Sequence, residues 1–420
     1  MARNGIYPRI EDFNRIPDKA LVPKNEQPHS IPESWKWVRW GSLGTFVGGM
    51  GFPKRYQGIE QGRYPFFKVG SLKNANFRGQ LTVAADYINE DISQELKAKV
   101  IPCGSLVFAK IGEAIRLNRR ALVAQESCID NNLFAFLPST LVDSSFLLSW
   151  SRSIDFYQYA STTSVPSIRK TVFEAIPFPL PPLEEQHRIA LLLDEAAQNV
   201  QATQNELSSI LLLKQSEIER FILGKPQCPL SHYVEDISSG KSLKEAASDN
   251  VQNRVLKVSS VTTGEFLPEE SKPLPDDYEP APHHAVNRGD ILVSRANTME
   301  LVGASALVKG DFSNLYLPDK LWRLGLKDTV EPSALVGILQ HRQVRARISA
   351  KAMGSGGSMK NITQSAFLQI QVPELSSIEQ LALAATIQGI ECVTRRLQEK
   401  LGLLKQLQAV LSVRAFQGEL

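Results

Sequence analysis

The sequence predicts an α+β protein: two similar α/β domains separated by two long helices whose heptad seams suit a coiled coil, the whole being an internal duplication. Three observations lead there. The chain repeats itself at an offset of 194 residues. Short apolar runs bounded by Gly, Pro, Asn and Asp read as strands. Two long stretches carry apolar residues in alternating steps of four and three, the mark of a helix with a heptad seam.

The repeat is clearest at a proline-rich segment. "PLPPLEEQHRIALLLDEA" (179–196) lies over "PELSSIEQLALAATIQGI" (373–390), so that Glu185 matches Glu379, Gln186 matches Gln380 and Pro179 matches Pro373. The register holds without a gap from Ile168 and Ile362 to Gly224 and Gly418. Upstream, "FFKVGSL" (66–72) resembles "VLKVSSV" (255–261), "CGSLVFAK" (103–110) resembles "RGDILVSR" (288–295), and "DNNLFAF" (130–136) sits where "PDKLWRL" (318–324) does. A repeat of this length has to be recognised before any fold is assigned.

In chain order, residues 1–30 form an N-terminal extension and 31–178 the first mixed domain. Residues 179–225 are a proline strap followed by a long helix. Residues 226–372 are the second mixed domain, and 373–420 hold the worn strap and its helix. "SLVFAK", "ALVAQ", "DILVSR" and "LWRLGL" are the surest strands. Helices are expected over 144–160 and 332–352, each followed by a small-residue loop, "STTSVPS" (161–167) and "SGGSMKN" (355–361). Ile189, Leu193, Ala196, Val200, Thr203, Leu207 and Ile210 make the first seam; Leu383, Ile387, Ile390, Thr394, Leu397, Leu401 and Leu404 make the second. Each stripe needs a partner, and the other copy supplies one. The prolines stiffen the exit from the first domain, and Gln186, Gln380 and the strap fix where domain meets helix.

Composition excludes several classes. Hydrophobic residues make up 43% and charged residues 22% of the 420, ordinary for a soluble globular protein. No apolar run is long enough for a membrane span, and "MARNGIYPRIEDF" lacks the apolar core of a signal peptide. Cys103, Cys128, Cys228 and Cys392 stand too far apart for a metal cluster. A cytoplasmic location is expected. Net charge is only +3. Residues 1–178 hold 22 Lys and Arg against 16 Asp and Glu, residues 179–225 hold 4 against 7, and the remaining two segments balance. "SGKS" (239–242) fails as a phosphate loop because Glu235 stands where the first glycine belongs. "GGMG" (48–51) and "GSGG" (354–357) are turns, His283 and His284 have no ligand-spaced companions, and no nucleophile elbow or H-E-x-x-H is found. No catalytic chemistry and no metal are expected of this chain.

"IPFPLPPLEEQHRIA" (176–190), its copy "IQVPELSSIEQLALA" (370–384), the terminal "RAFQGEL" (414–420) and the opening "IPESWKWVRWGSLGTFVGG" (31–49) resemble the specificity (S) subunits of type I restriction-modification systems. The resemblance covers nearly the whole chain after residue 30. It departs at Glu374–Ser377, where prolines usually lie. It implies a non-catalytic DNA-recognition subunit with two target recognition domains, each reading one half of a split, asymmetric site in double-stranded DNA. The helices would pair antiparallel as a coiled coil with pseudo-twofold character, set the unread spacer and dock two modification (methyltransferase) subunits, with restriction and translocation subunits added. S-adenosylmethionine, ATP and Mg would bind those partners, and no cofactor would bind this chain. The alternative is a duplicated coiled-coil scaffold, or an anti-restriction relative, that binds protein partners without specifying DNA.

The candidate DNA contacts follow from the repeat. Lys110 and Arg295 fall at equivalent strand ends, as do Asn132 and Lys320. Ser164 and Ser355 belong to the small-residue loops, where backbone N–H groups can approach phosphate, with Arg169, Lys170 and Lys360 adjacent. Lys54, Arg55, Lys241 and Lys244 follow glycine-containing turns near the start of each domain. Arg116, Arg119, Arg120 and Asn297 are assigned to base edges, since Arg suits guanine and Asn suits adenine. For any one of these, a solvated surface charge is an equally good account; as sets they do better.

Overall fold

A computed structural model describes residues 6–162, 164–241, 253–274, 278–353 and 359–420. Contacts divide the chain into two compact units, Met1–Asn205 with Glu399–Leu420, and Glu206–Gln398. Among the described residues there are eight α-helices: α1 (Glu90–Glu95), α2 (Ser144–Ser153), α3 (Lys170–Ala175), α4 (Leu183–Ile222), α5 (Pro332–Gln340), α6 (Arg342–Lys351), α7 (Gln364–Leu368) and α8 (Ser377–Gln417). Each unit therefore owns half of α4 and half of α8.

In the first unit a five-stranded sheet runs Gly44–Gly48, Leu133–Pro138, Leu106–Ala109, Arg120–Val123, Gln80–Leu81, and only its last pairing is parallel. A second sheet runs Asp86–Ile88, Tyr64–Phe67, Cys128–Ile129. The second unit repeats this plan. Its four-stranded sheet runs Val234–Ser239, Leu321–Leu326, Ile291–Ser294, Ser305–Leu307, and its three-stranded sheet runs Ser271–Pro273, Arg254–Leu256, Leu315–Tyr316. In both three-stranded sheets the central strand pairs antiparallel on one side and parallel on the other. The strands expected from "SLVFAK", "ALVAQ", "DILVSR" and "LWRLGL" are all present.

The two cores are filled differently. Trp40 is fully buried in the first, with the rings of Phe46, Phe136 and Trp150 centred 4.8–5.0 Å away. Phe108, Phe156 and Phe173 complete this cluster, in the edge and tilted geometries that aromatic quadrupoles favour. Ile10 and Ala20 join the same core from the N-terminal segment. The second core is mainly aliphatic, built on residues such as Leu230, Val293, Leu324, Leu335 and Ile338, with Trp322 and Phe367 as its aromatic pair.

Every residue of the two expected seams is buried or half-buried, while the positions between them are largely exposed. In the first unit the start of α4 shares a core with the end of α8, through Ile189, Leu193, Ala415 and Phe416, and Arg188 Nη2 donates to Leu420 O at 2.7 Å. In the second unit the end of α4 meets the start of α8 through Ile218, Ile222, Leu383 and Ile387, with Lys214 Nζ 3.0 Å from Glu391 Oε1. Within each unit the two helices thus run antiparallel.

Two expected helices are shorter than their patterns suggest. The first stops at Ser153, because the carbonyl of Ile154 turns to accept from Arg120 Nη2 (2.7 Å) and Asn118 Nδ2 (3.0 Å). The second breaks at His341, whose backbone is extended, so that α5 and α6 are separate helices.

The strap is a strand. Pro177–Leu180 pairs antiparallel with Lys36–Arg39, and Gln371–Pro373 pairs in the same way with Gln227–Pro229. Proline lacks the N–H that a ladder uses, which suits the outer strand of such a ribbon; in the first unit the opposite strand is bridged on its other side, Leu21 to Val38. The start and finish of each domain are therefore hydrogen-bonded together. Just beyond, a buried glutamine locks domain to helix. Gln186 Oε1 accepts from Asp143 N at 2.9 Å, and its Nε2 donates to Leu141 O and Pro181 O, both at 2.9 Å. Gln380 Oε1 accepts from Glu331 N at 2.9 Å, and its Nε2 donates to Leu375 O at 3.0 Å. Asp143 and Glu331 are the N-caps of α2 and α5. Each glutamine thus holds the N-cap residue of its own domain's principal helix.

Candidate nucleic-acid interface

One end of each large sheet gathers the candidate residues. In the first unit Lys110 N donates to Asn132 O at 3.0 Å, and Ile168 N donates to Lys110 O at 2.9 Å. In the second, Arg295 N donates to Lys320 O at 3.1 Å, and Ile362 N donates to Arg295 O at 3.1 Å. The small-residue loop is anchored beside this strand end in both units: Ile111 pairs with Ser167, and Ala296 with Asn361. A glycine turn completes the cluster. A Cβ on Gly49 would lie 1.9 Å from Asp130 O, and one on Gly240 would lie 1.6 Å from Leu317 O, so neither position accepts a side chain. Met50 then bridges to Asp130, and Lys241 to Pro318.

These correspondences change the electrostatic reading. At matched places the first unit has Lys110, Asn132, Met50 and Pro166, whereas the second has Arg295, Lys320, Lys241 and Lys360. The charge excess of residues 1–178 is thus not concentrated here; the second cluster is the more cationic. Lys110 lies over the Phe134 ring at 4.4 Å, and burial pushes its ammonium down while nearby Asp130 opposes the shift. Burial pushes the Asp130 carboxyl up, although it accepts from Asn132 N at 2.8 Å. In the second unit Arg295 Nε is buried without a hydrogen-bond partner. Asn297 pairs with Lys360 across a short ladder, and its Oδ1 accepts from Thr298 N at 2.9 Å.

The remaining candidates divide. Lys54, Arg119, Ser164 and Arg169 are exposed. Arg55 is exposed but engaged by Glu95 and stacked on Tyr56. Arg116 packs on the Tyr157 ring at 3.9 Å, with its Nε 3.1 Å from Glu113. Lys170 Nζ lies 3.3 Å from the buried Glu174. Arg120 does not belong with the base-reading set. It is 3% exposed, covers Phe156 at 3.6 Å and spends its guanidinium on Asn118 and Ile154. Burial pushes that guanidinium down, but it stays charged, as Arg does in proteins. Lys244 and Ser355 lie outside the described residues. Met299, Met353 and Met359, exposed around the second cluster, carry no charge or motif by which a sequence pattern would have picked them out.

Among the described residues, no three His, Cys, Asp or Glu side chains gather to hold a metal ion, and no helix is long and apolar enough to cross a membrane. Two matched surface clusters, each built from a strand end, a glycine turn and a small-residue loop, thus recur in the two units.

A family model described as type I restriction modification DNA specificity domain matches residues 32–212. The chain is 25% identical to the MjaVIII specificity subunit of Methanocaldococcus jannaschii, over 86% of this chain and 87% of that one. It is 23% identical to the EcoKI specificity subunit of Escherichia coli, over 93% and 90%. A 31% match to the Escherichia coli EcoEI specificity subunit spans 38% of this chain and 27% of that protein, about a quarter of its length. The fold is shared with a type I S subunit from M. genitalium, at TM-score 0.54 and 13% identity over 91% of this chain and 96% of that one. It is also shared with a chain solved in work on assembly and conformational transition of a type I restriction-modification system, at TM-score 0.57 and 18% identity over 94% and 100%. Residues 32–212 thus match a type I restriction modification DNA specificity domain, and over most of its length the chain is similar to specificity subunits of type I restriction-modification systems.

Proposed function

We propose that residues 31–178 and 226–372 are two target recognition domains, each reading one half of a split site in double-stranded DNA. The observation that carries this is the recurrence of one cluster at one end of both large sheets, with the same backbone pairings and different side chains. Phosphate contacts from Lys, Arg and backbone N–H groups supply affinity, and side chains at base edges supply sequence. Lys110, Asn132 and the exposed Arg119, Ser164 and Arg169 serve the first domain; Arg295, Asn297, Lys320, Lys241 and Lys360 serve the second. The segments 179–225 and 373–420 hold the readers apart and set the spacer.

The outer faces of α4 and α8 dock two modification subunits, which bind S-adenosylmethionine and methylate adenine. Restriction subunits supply ATP- and Mg-dependent translocation and cleavage. The work is cytoplasmic host defence.

The test is a domain exchange read by methylome sequencing in cells expressing the chain with its modification subunits. Replacing residues 31–175 with the equivalent of another specificity subunit should change one half of the methylated motif, and lengthening α4 after residue 195 should change only the spacer. Alteration of both halves by either change would refute modular reading. A host methylome identical with and without the gene would favour the scaffold alternative.

A further inference from the structure

The cation-lined ends of the two sheets also carry apolar side chains that the charge pattern does not explain. Val165 and Met359 stand at the same place in the two repeats, 194 residues apart, and are 54% and 47% exposed. Each lies two residues before the loop residue that pairs with the strand end, Ser167 with Ile111 and Asn361 with Ala296. In the second unit the patch is broader. Met353 exchanges both backbone hydrogen bonds with Asn361, at 2.8 and 2.9 Å, and is 67% exposed. Met299, 46% exposed, follows Asn297 by two residues, and its carbonyl accepts from Ser349 Oγ at 3.0 Å. Three of the chain's five methionines are therefore displayed at or next to the residues of one small ladder, beside Arg295, Lys320 and Lys360.

Isolated exposed apolar residues are normal on a protein surface. An apolar side chain at the same loop position of both repeats, framed by cations, is better matched to a ligand that is anionic along its backbone and apolar at defined points. In the major groove of DNA the one apolar group displayed by base edges is the thymine C5-methyl. Methionine, unbranched and polarisable, adapts its shape to such a group; valine at the same place is shorter and stiffer.

We propose that Met359 reads the C5-methyl group of a thymine in the half-site taken by the second domain, with Met353 and Met299 lining the same patch, and that Val165 is its counterpart in the first domain. This rests on the reading of both domains as DNA-recognition domains.

The experiment uses the full complex with its modification subunits and duplexes carrying the motif found by methylome sequencing. Deoxyuridine replaces thymidine one position at a time, deleting only the methyl group. Wild-type protein should lose about fourfold in affinity at one position of the second half-site, the worth of one buried carbon. Met359→Ala should bind the thymidine and deoxyuridine duplexes equally at that position and leave the first half-site unaffected, and Val165→Ala should show the same coupling in the first half-site alone. Insensitivity at every thymine, or a uniform loss in Met359→Ala with the deoxyuridine penalty intact, would overturn the proposal. A complex with no preference for any split motif would instead sink the functional reading beneath it.

Discussion

At the first joint between domain and helix, four prolines lie between Pro177 and Pro182; at the second, only Pro373 occupies a matching place. What replaces them is Tyr233, whose unit 1 counterpart by strand register is Leu43. The Tyr233 side chain is buried, and its hydroxyl donates to Pro373 O at 2.9 Å and accepts from Leu375 N at 2.7 Å. One joint restricts the backbone covalently, and the other pins it with hydrogen bonds. Both keep the same glutamine. A worn sequence motif therefore does not imply a looser joint: stiffness has moved from the strap to a residue 140 positions earlier.

The comparison can be broken most severely at the glutamines. Gln186→Ala and Gln380→Ala each strand buried backbone groups, and each should destabilise its own unit by about 3 kcal/mol, measured by denaturant unfolding. Clearly unequal losses would show that the joints are not equivalent. Next comes the division of labour between ring and hydroxyl. Tyr233→Phe should cost about 2 kcal/mol by orphaning Pro373 O and Leu375 N. Pro181→Ala should cost under about 1 kcal/mol, mostly through the unfolded chain. Equal effects would erase the distinction.

Alkaline pH should sharpen it further. Burial pushes the Tyr233 phenol from 10 up to about 12, so the unfolded state releases this proton first. The contribution is fully present below about pH 10 and is lost as pH rises through 12. Tyr233→Phe should flatten that part of the stability profile. The smallest effect belongs to Glu379, held at about 2 by Lys225 and by Ser376. Its contribution stands above the ordinary carboxylate range and is lost as pH falls through 2. Lys225→Met should raise the Glu379 value part of the way, with Ser376 retained, as followed by carboxyl NMR. An unmoved value would remove Lys225 from the joint.

Much of the frame was legible in the sequence because it rests on periodicity. The seams, the principal strands and the correspondence of Lys110 with Arg295 and of Asn132 with Lys320 all follow from apolar spacing and one offset. What was not legible rests on contacts between distant side chains and main-chain atoms. Nothing in the pattern around Arg120 shows that its guanidinium is consumed by the Ile154 carbonyl, or that this same bond ends α2. The break at His341 is invisible because helical spacing continues through it. Which of the matched clusters is the more cationic was not legible for a related reason. Segment totals count Arg55, Lys170 and Arg120, whose partners Glu95, Glu174 and Ile154 become apparent only after folding.

The glutamine joints have a consequence for how such a protein can change. Every partner of Gln186 and Gln380 is a main-chain N–H or carbonyl, at Leu141, Asp143, Pro181, Glu331 and Leu375. The joint therefore places no demand on the identity of those residues, only on the course of the backbone. A domain of quite different sequence could be grafted under the same glutamine and be presented at the same angle. Lineages could thus acquire new domains by recombination without having to re-evolve the frame that carries them.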